Sequence, residues 1–128
     1  MPSLNRVQLI GRLGKDPESR FTPSGKKVVH FAVAVDRRWK NVEGEIKQDT
    51  DWFNIEVWGG LGEVCEQYLQ KGRLVYLEGR LQTDRYEQAG EVKYFTKVVV
   101  RYLQMLDHKP EEEAEPVVEP LEEEPPVD

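Results

Sequence analysis

The 128-residue chain has room for one globular domain and little more. Its net charge of −6 is unevenly spread: all 18 Lys and Arg lie within residues 1–109 beside 15 acids, a net of about +3, while residues 110–128 hold nine acids and no base. The lone Cys65 excludes an intramolecular disulfide, and neither an apolar run of membrane-spanning length nor a signal-peptide apolar segment is present, so a soluble cytoplasmic protein without membrane contact is expected.

Val7 to Leu13 reads as a first strand, closed by Gly14 and Asp16-Pro17, and Thr22-Pro23-Ser24-Gly25 is turn chemistry. Val28 to Val35 is the next strand, with Val29, Phe31, Val33 and Val35 on one face and His30, Ala32 and Ala34 on the other. The polar stretch Asp36 to Thr50, with a turn signal at Glu43-Gly44-Glu45, is too long for a tight turn. It is either a functional loop or an extended hairpin. Asp51 to Trp58 is a third strand whose alternation puts Phe53, Ile55 and Val57 on one face and Trp52, Asn54, Glu56 and Trp58 on the other. Two tryptophans beside Asn and Glu do not read as a second core face.

From Leu61 to Leu69 the spacing becomes helical through Val64, Cys65 and Tyr68, and Lys71-Gly72 stops it. Arg73 to Tyr86 and Val92 to Leu106 are long fourth and fifth strands around a hairpin tip at Gln88-Ala89-Gly90. Three strands, one short helix and a two-strand hairpin suit an all-β domain: a five-stranded Greek-key barrel of the OB type, with the helix between strands three and four. Interior Gly11 and Gly79 fit barrel corners, and a layered ββαββ α+β domain is the alternative. Residues 1–109 form this domain. Residues 110–128, with five prolines and no aromatic residue, cannot bury enough apolar surface to offset the entropy of ordering, so a disordered acidic tail is expected.

No constellation for catalysis is present. His30, His108 and Cys65 do not make a zinc set at any usual spacing, so neither a metal nor another cofactor is expected. Gly59-Gly60-Leu61-Gly62 has Cys65 where a phosphate-binding GxGxxG loop needs its third glycine, and it reads as a strand end running into a helix start. What the chain does carry is rings interleaved with cations. Arg37-Arg38-Trp39-Lys40 sets a tryptophan among three cations, and Trp52 and Trp58 lie about 20 Å apart along one strand face. Arg85-Tyr86 repeats the pairing near the last hairpin tip. Every nucleobase has a π-face, so rings that stack bases among cations that meet phosphates suit a single nucleic-acid strand of any sequence. The charge asymmetry between domain and tail points the same way.

The same residues resemble a known family. Leu4-Asn5-Arg6-Val7, Leu9 to Glu18, Gly25 with Phe31-Ala32-Val33-Ala34, Thr50-Asp51-Trp52-Phe53, Glu63-Val64 with Tyr68 to Gly72, and Val75 to Leu81 are similar, in register, to bacterial single-stranded DNA-binding proteins. The resemblance implies an OB fold that forms dimers and then a homotetramer, with single-stranded DNA wrapped on it during replication, recombination and repair. It puts base-stacking rings at Trp39, Trp52, Trp58 (where Phe is usual) and Tyr86 (where Trp is usual). Phosphate-contacting cations fall at Arg6, Arg20, Lys71 and Arg85, with Arg12, Arg37, Arg38 and Lys40 added by neighbourhood. Gly60 stands where the family often has Lys. The family's acidic tail ends in Ile-Pro-Phe, which docks replication and repair partners; here the last residues are Glu122-Glu123-Glu124-Pro125-Pro126-Val127-Asp128, so weak or absent recruitment of those partners is expected. A primosome-type OB adaptor, working mainly through protein contacts, and a cold-shock-like RNA binder are the rival readings.

Overall fold

The computed structural model describes residues 2–107; the expectations for the tail, for the boundary near Lys109-Pro110 and for His108 lie outside them. Strands β1 (Val7–Leu13), β2 (Glu18–Phe21), β3 (Lys27–Lys40) and β4 (Ile46–Trp58) are followed by helix α1 (Gly59–Tyr68) and strands β5 (Leu74–Gln88) and β6 (Glu91–Met105). The sheet runs β1-β5-β6-β4-β3, and β1 also pairs with β3 at Arg12 and Leu13, which closes the barrel. The β4–β6 contact is parallel and every other pairing is antiparallel. This is the five-stranded OB barrel with its helix between the third and fourth barrel strands. The additional short β2 lies along β3, outside the closed ring.

Alternation fills the interior. Val29, Phe31 and Val33 of β3 meet Ile55 and Val57 of β4, Val75 and Leu77 of β5, and Val98 and Leu103 of β6. Helix α1 adds Cys65, which is fully buried, and burial pushes its thiol up to about 12, so it packs as an inert apolar group. Gly62 lets the helix sit close, because a Cβ there would lie 2.9 Å from the Val57 carbonyl oxygen. The polar stretch 36–50 resolves as the extended hairpin: β3 and β4 pair without a break from Val28↔Trp58 to Lys40↔Ile46, forming an arm beyond the barrel. The second arm, β5–β6, turns at Ala89 and Gly90. Both have positive φ, 53° and 81°, as a two-residue hairpin turn of matching twist requires.

A bulge lies where β5 changes register at Glu78/Gly79, and it sets the phase of β6. Val98 and Val100 face inward on one side of it, Leu103 and Met105 on the other. At Gly79 the backbone of β6 comes so close that a Cβ would lie 2.8 Å from the Val99 carbonyl carbon, with nothing flexible to yield. Gly79→Ala is therefore expected to destabilise the domain by about 2 kcal/mol or more, read as a lower urea midpoint at unchanged slope.

Candidate nucleic-acid interface

The outer face of the β3–β4–β6–β5 sheet carries the candidate site. Register sets Val28 beside Trp58, His30 beside Glu56, Ala32 beside Asn54 and Ala34 beside Trp52. The small side chains of Ala32 and Ala34 leave the face low between the rings. Trp52 is 60% exposed, and Trp39, Trp58 and Tyr86 are each about 40% exposed. None of the four belongs to the packed core. Trp52 is nonetheless held in place: its ring lies on Gly14, where a Cβ would fall 2.9 Å from Cη2. Trp58 is held too, its indole Nε1–H donating to the Glu56 carboxylate at 2.9 Å. Tyr86 follows the alternation of Gln82 and Asp84, which places it on this same face of the β5–β6 arm.

Trp39 differs. In the unbroken register Arg38 and Lys40 continue the face of Trp52, whereas Arg37 and Trp39 point to the other side of the arm. Arg37 lies 5.0 Å from the Trp39 ring and pairs with Asp51 at 3.0 Å and Asp49 at 3.5 Å. Of the eight cations expected from the sequence, Arg37 is thus partly engaged within the protein. Arg12 is as well, donating to the Gly72 carbonyl and to Asp107 at one end of the barrel. Arg6 lines a separate groove of about 250 Å³ with Arg80 and Arg101. Arg20, Arg38, Lys40, Lys71 and Arg85 are exposed and have no ion-pair partner among the described residues.

Beneath the exposed rings is a polar node that alternation alone did not reveal. Glu56 is on the outer face, yet its side chain is only 7% exposed. It accepts from Lys97 Nζ at 2.8 Å and from Trp58, and lies 3.0 Å from His30 Nε2; Lys97 is also 3.0 Å from Asp84. Burial pushes the Glu56 carboxyl up, but the hydrogen bonds from Lys97, Trp58 and His30 outweigh it and hold the value below the ordinary 4.5. Burial likewise disfavours the Lys97 ammonium, and its two carboxylate partners hold its pKa above the ordinary 10.5. Next to the node a groove of about 370 Å³ opens over the stretch of β3 and β4 between the registers of Trp52 and Trp58, walled by Lys15, Arg20, His30, Asn54, Phe95 and Lys97, with Asp16 and Glu18 on the β2 side. Phe95, Lys97 and Lys15 were not singled out from the sequence; the bulge that shifts the phase of β6 hides the outward direction of the first two.

The family model for the single-strand binding protein family matches residues 4–106. The chain belongs to the single-strand binding protein family. Single-stranded DNA-binding protein 1 of Chlorobaculum tepidum is 47% identical over 108 residues, covering 83% of this chain and 67% of that protein. The single-stranded DNA-binding protein of Neisseria meningitidis serogroup A is 49% identical over 85 residues, 66% of this chain and 49% of its own length. The chain thus spans between half and two thirds of these relatives. Among solved structures, the Plasmodium falciparum SSB in complex with ssDNA superposes with a TM-score of 0.77 at 34% identity, covering 84% of this chain and 98% of that one. A deletion mutant of the Thermus aquaticus single-stranded DNA binding protein gives 0.74 at 28% identity, covering 83% and 52%. No helix among the described residues is long and apolar enough to cross a membrane, and no group of three or more His, Cys, Asp or Glu side chains among them could hold a metal ion.

Proposed function

We propose that the chain binds single-stranded DNA without sequence preference and without catalysis, on the outer face of the β3–β4–β6–β5 sheet, in replication, recombination and repair. The observation that carries this reading is the pair Trp52 and Trp58, exposed on the same sheet face as a groove with Lys15 and Arg20 in its walls. Bases would stack on Trp52, Trp58 and Tyr86, and on Trp39 where the strand passes the far side of the arm. Phosphates would meet Arg20, Arg38, Lys40 and Lys71, and Arg85 where the strand passes the other side of the β5–β6 arm, with Arg6, Arg12 and Arg37 contributing less because of where they lie or what they already bind. Counterion release then supplies part of the affinity, at about 0.7 per phosphate contact in the slope of log affinity against log salt.

The family supports assembly of dimers into a homotetramer, and the fold offers a surface for it. The outer face of β1–β5–β6 presents Gln8, Ile10, Tyr76, Tyr102 and Gln104, and Ile10 is half exposed there. Wrapping one strand over several subunits would make later contacts intramolecular and raise avidity. Cytoplasmic, nucleoid-associated action would follow from this role, and the nine acids of residues 110–128 would screen the basic surface.

Competition decides the reading. A labelled oligo-dT strand bound by the full chain is expected to be displaced by unlabelled single-stranded DNA and not by duplex of equal length. Equal displacement by duplex contradicts it, and stronger displacement by matched RNA favours the cold-shock-like reading. A second expectation concerns Gly14. Gly14→Ala forces the Trp52 ring off its seat, so binding is expected to weaken about tenfold, the loss of one stacked base. Its effect should disappear in a Trp52→Leu background, as a double-mutant cycle would measure.

A further inference from the structure

We propose that Phe95 is a further base-stacking ring, and that the groove it walls with Asn54 is a subsite for one nucleotide of the bound strand. This rests on the single-strand reading above and deepens it.

The direction of the ring is fixed by register. Phe95 lies opposite Asp84 and two residues before Lys97 on β6, and both Asp84 and Lys97 are tied into the Glu56 node on the outer face. Phe95 is therefore on the face of Trp52 and Trp58, and it walls the same groove as Asn54, which lies between them on β4, next but one to Trp52. The ring is 43% exposed and is outside the packed core. Phenylalanine has no polar atom to gain from water, so the exposed part of the ring, on the face of Lys97 and Asp84, is apolar surface left in water in the free fold. A base laid on it would remove that apolar surface from water.

The size and charge of the groove fit one nucleotide. About 370 Å³ is at the lower end of small-ligand clefts. Lys15 and Arg20 have no ion-pair partner among the described residues and stand ready for the flanking phosphates. Lys97 is committed to Glu56 and Asp84, and Asp16 accepts the Lys71 backbone N–H at 2.8 Å. With Glu18 also present the wall is close to neutral, so the ring rather than charge carries the affinity of this subsite.

The test compares Phe95→Leu, Phe95→Trp and Trp52→Leu with wild type, titrating the full chain with oligo-dT at several salt concentrations and recording a thermal melt of each. Phe95→Leu keeps apolar bulk but removes the π-face; it is expected to bind about tenfold more weakly, with an unchanged salt slope and an unchanged melt. Phe95→Trp is expected to bind as wild type does. Wild-type affinity in Phe95→Leu, equal weakening in both Phe95 variants, a changed salt slope, or a loss accompanied by early melting would each overturn the subsite. Trp52→Leu separates the two levels of inference. If it weakens binding while Phe95→Leu does not, only the subsite fails. If wild type does not hold the strand, the single-strand reading itself fails; if it does and neither variant matters, the subsite fails together with stacking on Trp52.

Discussion

The double variant Trp52→Leu/Trp58→Leu is expected to bind single-stranded DNA about a hundredfold more weakly than wild type and to remain folded. Each base stacked on an aromatic ring contributes about 1–3 kcal/mol, and two lost rings at about 1.4 kcal/mol each give a hundredfold. The cations on the face are untouched, so the slope of log affinity against log salt should keep its wild-type value. The fold should survive because neither ring is in the core, and Leu still covers Gly14 and the Ala32–Ala34 floor. Trp58→Leu does remove one donor from Glu56, but Lys97 and His30 remain beside that carboxylate. Equilibrium titration at graded salt, with a thermal melt as control, checks all three statements. A steep change in salt slope would mean that the rings position phosphate contacts rather than stack on bases.

Lys97→Met is expected to be the most damaging single change on this face, lowering stability by about 3 kcal/mol at neutral pH. The substitution leaves Glu56 almost fully buried with its charge no longer paired to an ammonium, the situation in which breaking a buried pair costs most. Met preserves the bulk of the aliphatic stem, so the loss reads out charge rather than packing. Lys97→Met/Glu56→Gln is expected to recover much of it, because a neutral Gln can still accept from Trp58 without requiring a counter-charge. The pH dependence has a definite sign. Glu56 has a folded-state pKa below 4.5, so its contribution is present above that value and is lost as pH falls through the folded pKa. Lys97 has a folded-state pKa above 10.5, so its contribution is present below that value and is lost as pH rises through the folded pKa. The stability gap between wild type and Lys97→Met should therefore hold across the neutral range and close toward both extremes in chemical-denaturation curves.

Much of this architecture is legible in the residues. The period-two pattern of 51–58 already turns Trp52 and Trp58 away from Phe53, Ile55 and Val57, and the switch to helical spacing at Leu61 places α1 where it lies. Legibility fails wherever a long-range contact decides. Residues 36–50 carry no apolar alternation of their own, and they become strand because β3 and β4 zip together outward from a buried register. Glu18–Phe21 is a short, wholly exposed segment that is a strand only by pairing with β3. Glu56 is given its outward direction correctly by alternation, but its burial comes from His30 on β3 and Lys97 on β6, 26 and 41 residues distant in sequence. Phe95 is hidden for another reason: the inward positions of β6 pass from Val98 and Val100 to Leu103 and Met105, so no single alternation runs the length of the strand.

The family match and the geometry meet in one claim, that bases of a single strand lie on the tryptophans of this sheet face. The most direct test is intrinsic fluorescence on titration with oligo-dT at low salt, with duplex as control, in wild type and in Trp52→Leu/Trp58→Leu. Strong quenching of wild type by the single strand alone, largely lost in the double variant that keeps only Trp39, is the predicted result. An unquenched wild type, or equal quenching by duplex, would contradict it.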